Sequence, residues 1–425
     1  MIRIMKYGQV ALDEILSRST PEVDVAAVVA GIIADVKARG DAALLEYCEK
    51  FDKVRLERLE VSPAEFEEAL ALVEPAFLAV LESAAANIRA FHEKQVRQGF
   101  VMTRADGVVM GQKVTPLDRV GLYVPGGTAA YPSTVLMDAI PAKIAGCGEL
   151  VITTPPGRDA RVNPAILAAA KVAGVDRVFK VGGAQAVAAL AWGTKTVPCV
   201  DKIVGPGNAF VAEAKQQGFG RVGIDMIAGP SEILIVADGK SDARQVAADL
   251  LSQAEHDRLA SAVLITDSPA LAEAVQAEVE RQVRALPRAE IAAASIDNNG
   301  KIIVCDSIAQ AVDLSNALAP EHLELCLDNP FDWLGRVHHA GSIFMGRSCP
   351  EALGDYLAGP NHTLPTGGTA RFYSPLGVDD FVKKSQFTYF TRDALGRVAG
   401  DIAAFARREG LEGHARSALS RFEEV

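Results

Sequence analysis

Basic residues are in deficit: 43 Lys and Arg stand against 54 Asp and Glu in 425 residues, a formal net charge of −11. No Lys/Arg stripe exists to neutralise a phosphate backbone, which argues against a nucleic-acid binder. No apolar run approaches the roughly 20 residues needed to cross a bilayer. Arg3, Lys6, Asp13 and Glu14 interrupt the first fifteen residues, so no export signal is expected there and a cytoplasmic location is. The six cysteines (Cys48, Cys147, Cys199, Cys305, Cys326 and Cys349) include no C-x-x-C pair. Reduced, mostly buried thiols follow as the expectation. Histidine is scarce too, with seven in the chain.

Half of the residues are apolar and 23% are charged, the balance of a soluble α/β enzyme. The length suggests two or more domains. The first hundred residues read as helices: Pro21 to Ala38 is amphipathic, and Ser62-Pro63-Ala64-Glu65 is a capping box that opens a helical region through about Gln98. Phe100–Arg104 and Val108–Val114 flank Ala105-Asp106-Gly107, a plausible hairpin.

From Val120 the pattern becomes strand, glycine-bearing turn, helix, repeated. Candidate strands are Val120–Val124, Leu150–Thr154, Arg177–Val181, Lys202–Val204 and Arg221–Asp225, followed by Ile233–Val236, Ala262–Thr266, Ile302–Cys305, Leu323–Leu327 and Ser342–Met345. Such alternation implies parallel sheets with helices on both faces. Two successive sets suggest two Rossmann-like domains with a cleft between them. The last fifty residues look helical, a tail too short for a core of its own that would pack elsewhere, on a partner subunit for instance.

Several constellations carry chemistry. Val124-Pro125-Gly126-Gly127, Val181-Gly182-Gly183 and Val204-Gly205-Pro206-Gly207 each follow a strand and precede a helix, where α/β proteins bind phosphorylated ligands. None is G-x-G-x-x-G, and any one alone is ordinary βα turn chemistry. Gln253 and His256 lie three apart near the end of a helix-like run, Ala243 to Asp257, and share a face there. Pro320-Glu321-His322 precedes a strand and pairs a carboxylate with an imidazole, two proton-transfer groups of different affinity; a solvated loop pair is the plain alternative. Asp355, Asn361 and His362 occupy a Gly- and Pro-rich stretch, and His414 lies in the tail. Gln253, His256, Asp355 and His414 form a chemically sensible zinc set, although their spacing matches no short metal motif.

Taken in order, Gly121 to Gly127, Gly182 to Ala186, Gly205 to Phe210, Ala228-Gly229-Pro230-Ser231-Glu232, Ser252 to His256, Pro320 to Leu323, Gly354 to Tyr356, Asn361-His362 and Glu409 to His414 resemble the motifs of the histidinol dehydrogenase family. The likeness runs from about residue 20 to the end. The resemblance implies a zinc-bearing homodimer of two Rossmann-like domains with small terminal extensions, oxidising L-histidinol to L-histidine with two NAD. By that likeness the zinc ligands are Gln253, His256, Asp355 and His414, and the catalytic pair is Glu321 with His322. Tyr123, Gln185 and Asn208 match cofactor contacts. Ser231, His362 and Glu409 match substrate contacts, together with the zinc ligands and the catalytic pair. The family's tail would bring His414 and Glu409 to a neighbouring subunit's site. The expected division is 1–20 as an extension, 21–122 with 232–376 as one domain, 123–231 as the other, and 377–425 as a helical tail.

Other readings stay open at this point. A related zinc- and NAD-dependent dehydrogenase of another polyol or sulfonate would share the fold. A zinc hydrolase using Glu321 as base explains the metal set but not the three glycine turns. Thiol-based aldehyde oxidation through Cys147 or Cys349 lacks a neighbouring basic group to stabilise a thiolate.

Overall fold

A computed structural model describes residues 2–18, 24–126 and 130–423. In chain order the strands are β1 (Arg3–Lys6), β2 (Phe100–Arg104), β3 (Val108–Pro116), β4 (Arg119–Tyr123), β5 (Glu149–Thr154), β6 (Arg177–Lys180), β7 (Lys202–Val204) and β8 (Gly223–Ile224). After them come β9 (Glu232–Ala237), β10 (Ser261–Thr266), β11 (Lys301–Val304), β12 (His322–Cys326), β13 (Ser342–Met345) and β14 (Val382–Phe390). The chain divides into two compact units, one reaching to Gln95 and resuming over Leu117–Phe381, the other made of Val96–Pro116 and the tail from Val382.

The larger unit holds two all-parallel sheets, β1-β11-β10-β9-β12-β13 and β6-β5-β4-β7-β8. Strands such as Glu232-Ile-Leu-Ile-Val-Ala are apolar on both faces because helices cover both. Along β9, Ile233, Ile235 and Ala237 enter one core while Leu234 and Val236 enter the opposite one. In the five-stranded sheet the chain moves outward from β4 through β5 to β6, then returns to build β7 and β8 on the other flank. The strand order therefore reverses between β4 and β7, and likewise between β9 and β12; such crevices are where α/β sheets bind ligands. The Rossmann-like expectation holds.

The helices Ala26–Arg39 and Pro75–His92 bury Ile32, Ile33 and Val36, and Leu81, Ala85 and Ile88, in the cores of the five-stranded sheet. This packing differs from the expected grouping of 21–122 with 232–376. The apolar stripes of these helices meet the Ala-rich helices that cover β4 to β7, and each buried Ile or Leu contributes about 1.5–3 kcal/mol there. Residues 2–16 also depart from a wholly helical N-terminus: Arg3–Lys6 pairs in parallel with Lys301–Val304. Ser62 and Glu65 do form the reciprocal capping box.

In the smaller unit, β14-β3-β2 is an antiparallel sheet, with the expected hairpin turning at Gly107 (φ +86°). The expectation of a purely helical tail is corrected here. Val382–Phe390 pairs along the whole of β3, and Phe387 lies over Gly111, which has no side chain to obstruct the ring. Helices Arg392–Arg408 and Glu412–Leu419 then pack on each other through Ala403, Ala406, Ala415 and Leu419. Among the described residues no single helix is long and apolar enough to cross a membrane.

Candidate active site

The first residues of β9 and β12 sit side by side at the amino edge of the six-stranded sheet, since His322 pairs with Ile233 in register. That edge is where the proton-transfer groups gather. Glu321 and His322 are both buried. Glu321 Oε2 accepts the Glu232 backbone N–H at 2.8 Å, and His322 Nδ1 lies 2.9 Å from the Glu232 carbonyl oxygen. A carbonyl can only accept, so Nδ1 carries the proton and Nε2 of the neutral ring is a free lone pair. Nε2 has no hydrogen-bond partner and faces Glu351 Oε1, also unpartnered, at 3.7 Å. Burial holds the His322 imidazole down to about 4 and pushes Glu321 well above the usual carboxylate range. A neutral imidazole beside a carboxyl of raised proton affinity can take protons in turn.

Helix Ala243–Ala254 covers β9 and returns to the same edge, so its last turn delivers Gln253. Gln253 is 1% exposed and its Oε1 lacks a partner. The helix ends earlier than the run Ala243 to Asp257 suggested. His256 lies in the turn that follows, exposed, its N–H bonded to the Gln253 carbonyl at 3.1 Å. A positive charge on His256 would favour the Asp355 carboxylate and disfavour a charged His322.

The helix Glu351–Tyr356 carries Asp355, whose Oδ1 is 3.5 Å from His362 Nδ1. Burial opposes the Asp355 charge, but His362 outweighs it and holds the carboxyl at about 2. Burial likewise works against a charged His362, yet Asp355 lifts its affinity for protons. The other His362 nitrogen lies 3.2 Å from the Thr134 hydroxyl. Thr134 lies in the first turn of the helix Pro132–Ala145 that follows β4, so His362 ties the six-stranded sheet's amino edge to the carboxyl edge of the five-stranded sheet.

Among the described residues, His322, Glu351 and Asp355 offer ligand atoms all within 4.8 Å of one another. The carboxylates of Asp355 and Glu351 are oxygen donors that suit a divalent cation and leave His322 Nε2 free, and Gln253 Oε1 is a further bare oxygen donor. Glu351 was missed in the sequence; burial and Asp355 push it up to about 8. Nothing in Cys349-Pro350-Glu351 marks it apart from a loop acid, and only its burial does. His414 and Glu409 lie on the smaller unit, both exposed, His414 in the helix Glu412–Leu419 and Glu409 at the end of Arg392–Arg408.

The glycine turns converge at the carboxyl ends of β4, β6 and β7. Tyr123 is buried, and its hydroxyl accepts the Gly183 N–H at 3.0 Å. Gln185 is buried with its amide under the same turn, against Gly183. Gly205 has φ +109°, and a Cβ there would lie 2.2 Å from the Tyr123 carbonyl oxygen, so only glycine fits. Asn208 caps the helix Ala209–Gly218, its side-chain oxygen accepting from Phe210 and Val211. Gly127 to Ala129 lie outside the described residues. Ser231, half-buried, immediately precedes Glu232.

Cys147 is buried, 3.6 Å from the Phe381 carbonyl, and burial pushes its thiol up to about 11. It is no thiolate nucleophile.

Two parallel sheets, a crevice of glycine turns and a buried carboxyl–imidazole pair beside a cation-type donor set define an α/β oxidoreductase architecture. A family model described as histidinol dehydrogenase matches residues 16–422. A histidinol dehydrogenase from Syntrophotalea carbinolica is 54% identical over 431 residues, covering 100% of both chains. One from Lactiplantibacillus plantarum is 55% identical over 402 residues, covering 95% of this chain and 94% of the relative. A crystal structure of histidinol dehydrogenase from Elizabethkingia anophelis superposes with a TM-score of 0.94 at 37% identity, covering 99% of this chain and 98% of that one. The chain belongs to the histidinol dehydrogenase family.

Proposed function

We propose that the protein oxidises L-histidinol to L-histidine through bound L-histidinaldehyde, the last reactions of histidine biosynthesis, with two NAD consumed. The observation that carries this reading is the free Nε2 of His322, a buried base with its other nitrogen committed to Glu232. Gln253, His256, Asp355 and, from a second copy in a homodimer, His414 are assigned as zinc ligands. Tyr123, Gln185 and Asn208 are assigned to the NAD side. When bound, zinc supplies an electrophilic anchor for the imidazole and amine of the substrate, and NAD supplies the hydride acceptor.

The remaining work falls to this chain's own groups. His322 Nε2 takes the alcohol proton as the carbinol carbon loses hydride, because an alkoxide does not form unaided near neutral pH. Ser231, His362 and the partner copy's Glu409 position the amino alcohol; orientation of this kind can supply roughly 7–11 kcal/mol at its upper range. Glu321, with its raised proton affinity, then accepts a proton from the water that adds to the aldehyde. The protonated His322 returns its proton to the aldehyde oxygen as the gem-diol forms, which frees Nε2 to take a gem-diol proton as the second hydride leaves. One site performs both steps, so the reactive aldehyde is not released.

The deciding experiment is a stoichiometric assay on purified protein. Two NADH per histidinol, lost on chelation and recovered with zinc, is the expected result. A ratio of one, or NADH formation indifferent to chelation, overturns the reading.

A further inference from the structure

Glu232 has no role in the mechanism above, yet its main chain touches both proton-transfer groups. Its N–H is bonded to Glu321 and its C=O to His322 Nδ1. Its side chain is buried and held from two directions. Arg18 grips it with two bonds, Nε to Oε1 at 2.5 Å and Nη2 to Oε2 at 3.2 Å, and the Gly367 N–H donates to Oε1 at 3.2 Å. A paired, forked guanidinium fixes both position and orientation in a way a lysine cannot. The same guanidinium reaches further: Nη2 donates to the Leu318 carbonyl at 2.6 Å.

Leu318 ends the helix Ile308–Leu318, and the next residue, Ala319, is left-handed (φ +49°, ψ +62°). This conformation costs an L-residue free energy and persists only where its surroundings impose it. Pro320, Glu321 and His322 follow directly. Arg18 therefore ties the first residue of β9 to the approach to β12, the two strands whose starts carry the site.

We infer that Arg18 and Glu232 are positioning residues of the oxidation: the ion pair locks the main chain at Glu232, which in turn fixes the tautomer of His322 and the aim of Glu321. The inference rests on the proposed dehydrogenase activity. Neither side chain touches substrate. Their effect passes through the main chain of one residue, the two peptide units that flank the Glu232 Cα, and misplacing catalytic groups by about 1 Å can cost about 10²-fold in rate.

The test uses Arg18→Ala, Arg18→Lys and Glu232→Gln in the full-length, zinc-loaded protein. Arg18→Ala and Glu232→Gln should lower kcat for histidinol and for histidinaldehyde alike, by about tenfold or more, with zinc content and the KM for NAD unchanged. Millimolar guanidinium should restore part of the Arg18→Ala activity, and equal sodium chloride should not. Arg18→Lys, which keeps the charge without the fork, should fall between parent and Arg18→Ala. An independent readout is the nitrogen-15 spectrum of labelled histidine: His322 should be the Nδ1–H tautomer in the parent and a mixture in Arg18→Ala. A folded Arg18→Ala with parental kcat and an unchanged His322 tautomer overturns the inference. A parent that produces no NADH from histidinol overturns the activity instead, and leaves the tautomer measurement to decide this point.

Discussion

The Thr134 hydroxyl lies 3.2 Å from Nε2 of His362, at the start of the helix that follows β4. Asp355 occupies the other ring nitrogen, so the imidazole is held from both sides and cannot flip freely. Thr134→Val keeps the shape and removes the bond, worth about 1 kcal/mol or roughly fivefold in binding. The KM for histidinol should rise by about that factor while kcat and the KM for NAD stay put, and Thr134→Ser should recover the parent value. Steady-state kinetics check this; a fall in kcat alone would show that His362 does more than seat the substrate.

Cys147 offers a clean control. Its thiol is buried, donates toward the Phe381 carbonyl and is held up to about 11, so it is protonated and sealed from substrate. Cys147→Ser should retain parental kcat for aldehyde oxidation. Loss of that step alone, in a protein of parental melting temperature, would revive covalent thiol chemistry.

The parallel strands were legible because each is an apolar run bounded by Gly, Pro, Asp or Ser turn residues: β5, β9 and β10 fall within a residue of expectation. Arg3–Lys6 and Val382–Phe390 were not. Their sequences, Arg-Ile-Met-Lys and Val-Lys-Lys-Ser-Gln-Phe-Thr-Tyr-Phe, carry little apolar signal, and partner strands β11 and β3 decide their conformation. Glu321 and His322 were found by their adjacency, and Asp355 and His362 by their unusual loop. Glu351 and Arg18 were not, because their meaning arises from neighbours more than 25 positions away: His322 for the first and Glu232 for the second. Local pattern cannot register that kind of contact.

Lys301 gives a stability prediction with a definite sign. Its ammonium is buried against the carbonyls of Ile15 and Ser17, and burial lowers its pKa to about 8 from an ordinary 10.5. Between those two values the unfolded chain holds a proton that the folded chain has released. Stability contributed by this residue therefore rises as pH climbs from about 8 toward 10.5, while below 8 the full cost of burying the charge remains. Denaturant unfolding of the parent and of Lys301→Met across that window should show a difference that shifts in the parent's favour with pH. A difference that does not vary with pH contradicts the buried-charge account.

Gly205→Ala should be among the most damaging single substitutions outside the proton-transfer groups. The residue combines φ +109° with a Cβ position 2.2 Å from the Tyr123 carbonyl, and Asp138 Oδ2 stands 3.1 Å away. Neither the backbone nor a buried carboxylate can retreat as a flexible side-chain end would. The conformational strain alone is about 1–3 kcal/mol, and the clash adds to it. A lowered melting temperature with weakened NAD binding is expected; a variant of parental stability would show that the turn after β7 is not held as described.

Glu321 and His322 are neighbours in sequence but stand in different relations to Glu232, one accepting from its N–H and the other donating to its carbonyl. This difference predicts a separation of roles that can be measured. His322→Gln removes the Nε2 lone pair, so both oxidations should slow by about 10²–10⁴-fold, the usual range for a general base. Glu321→Gln keeps an oxygen to accept the Glu232 N–H and so preserves the fold of the edge, but it cannot take a proton from water. Its histidinol-to-aldehyde step should survive nearly intact while aldehyde-to-acid oxidation falls by a similar 10²–10⁴-fold. Single-turnover measurements started from histidinol and from histidinaldehyde resolve the two halves. Equal losses in both halves for Glu321→Gln would assign the carboxyl to orienting His322 rather than to activating water.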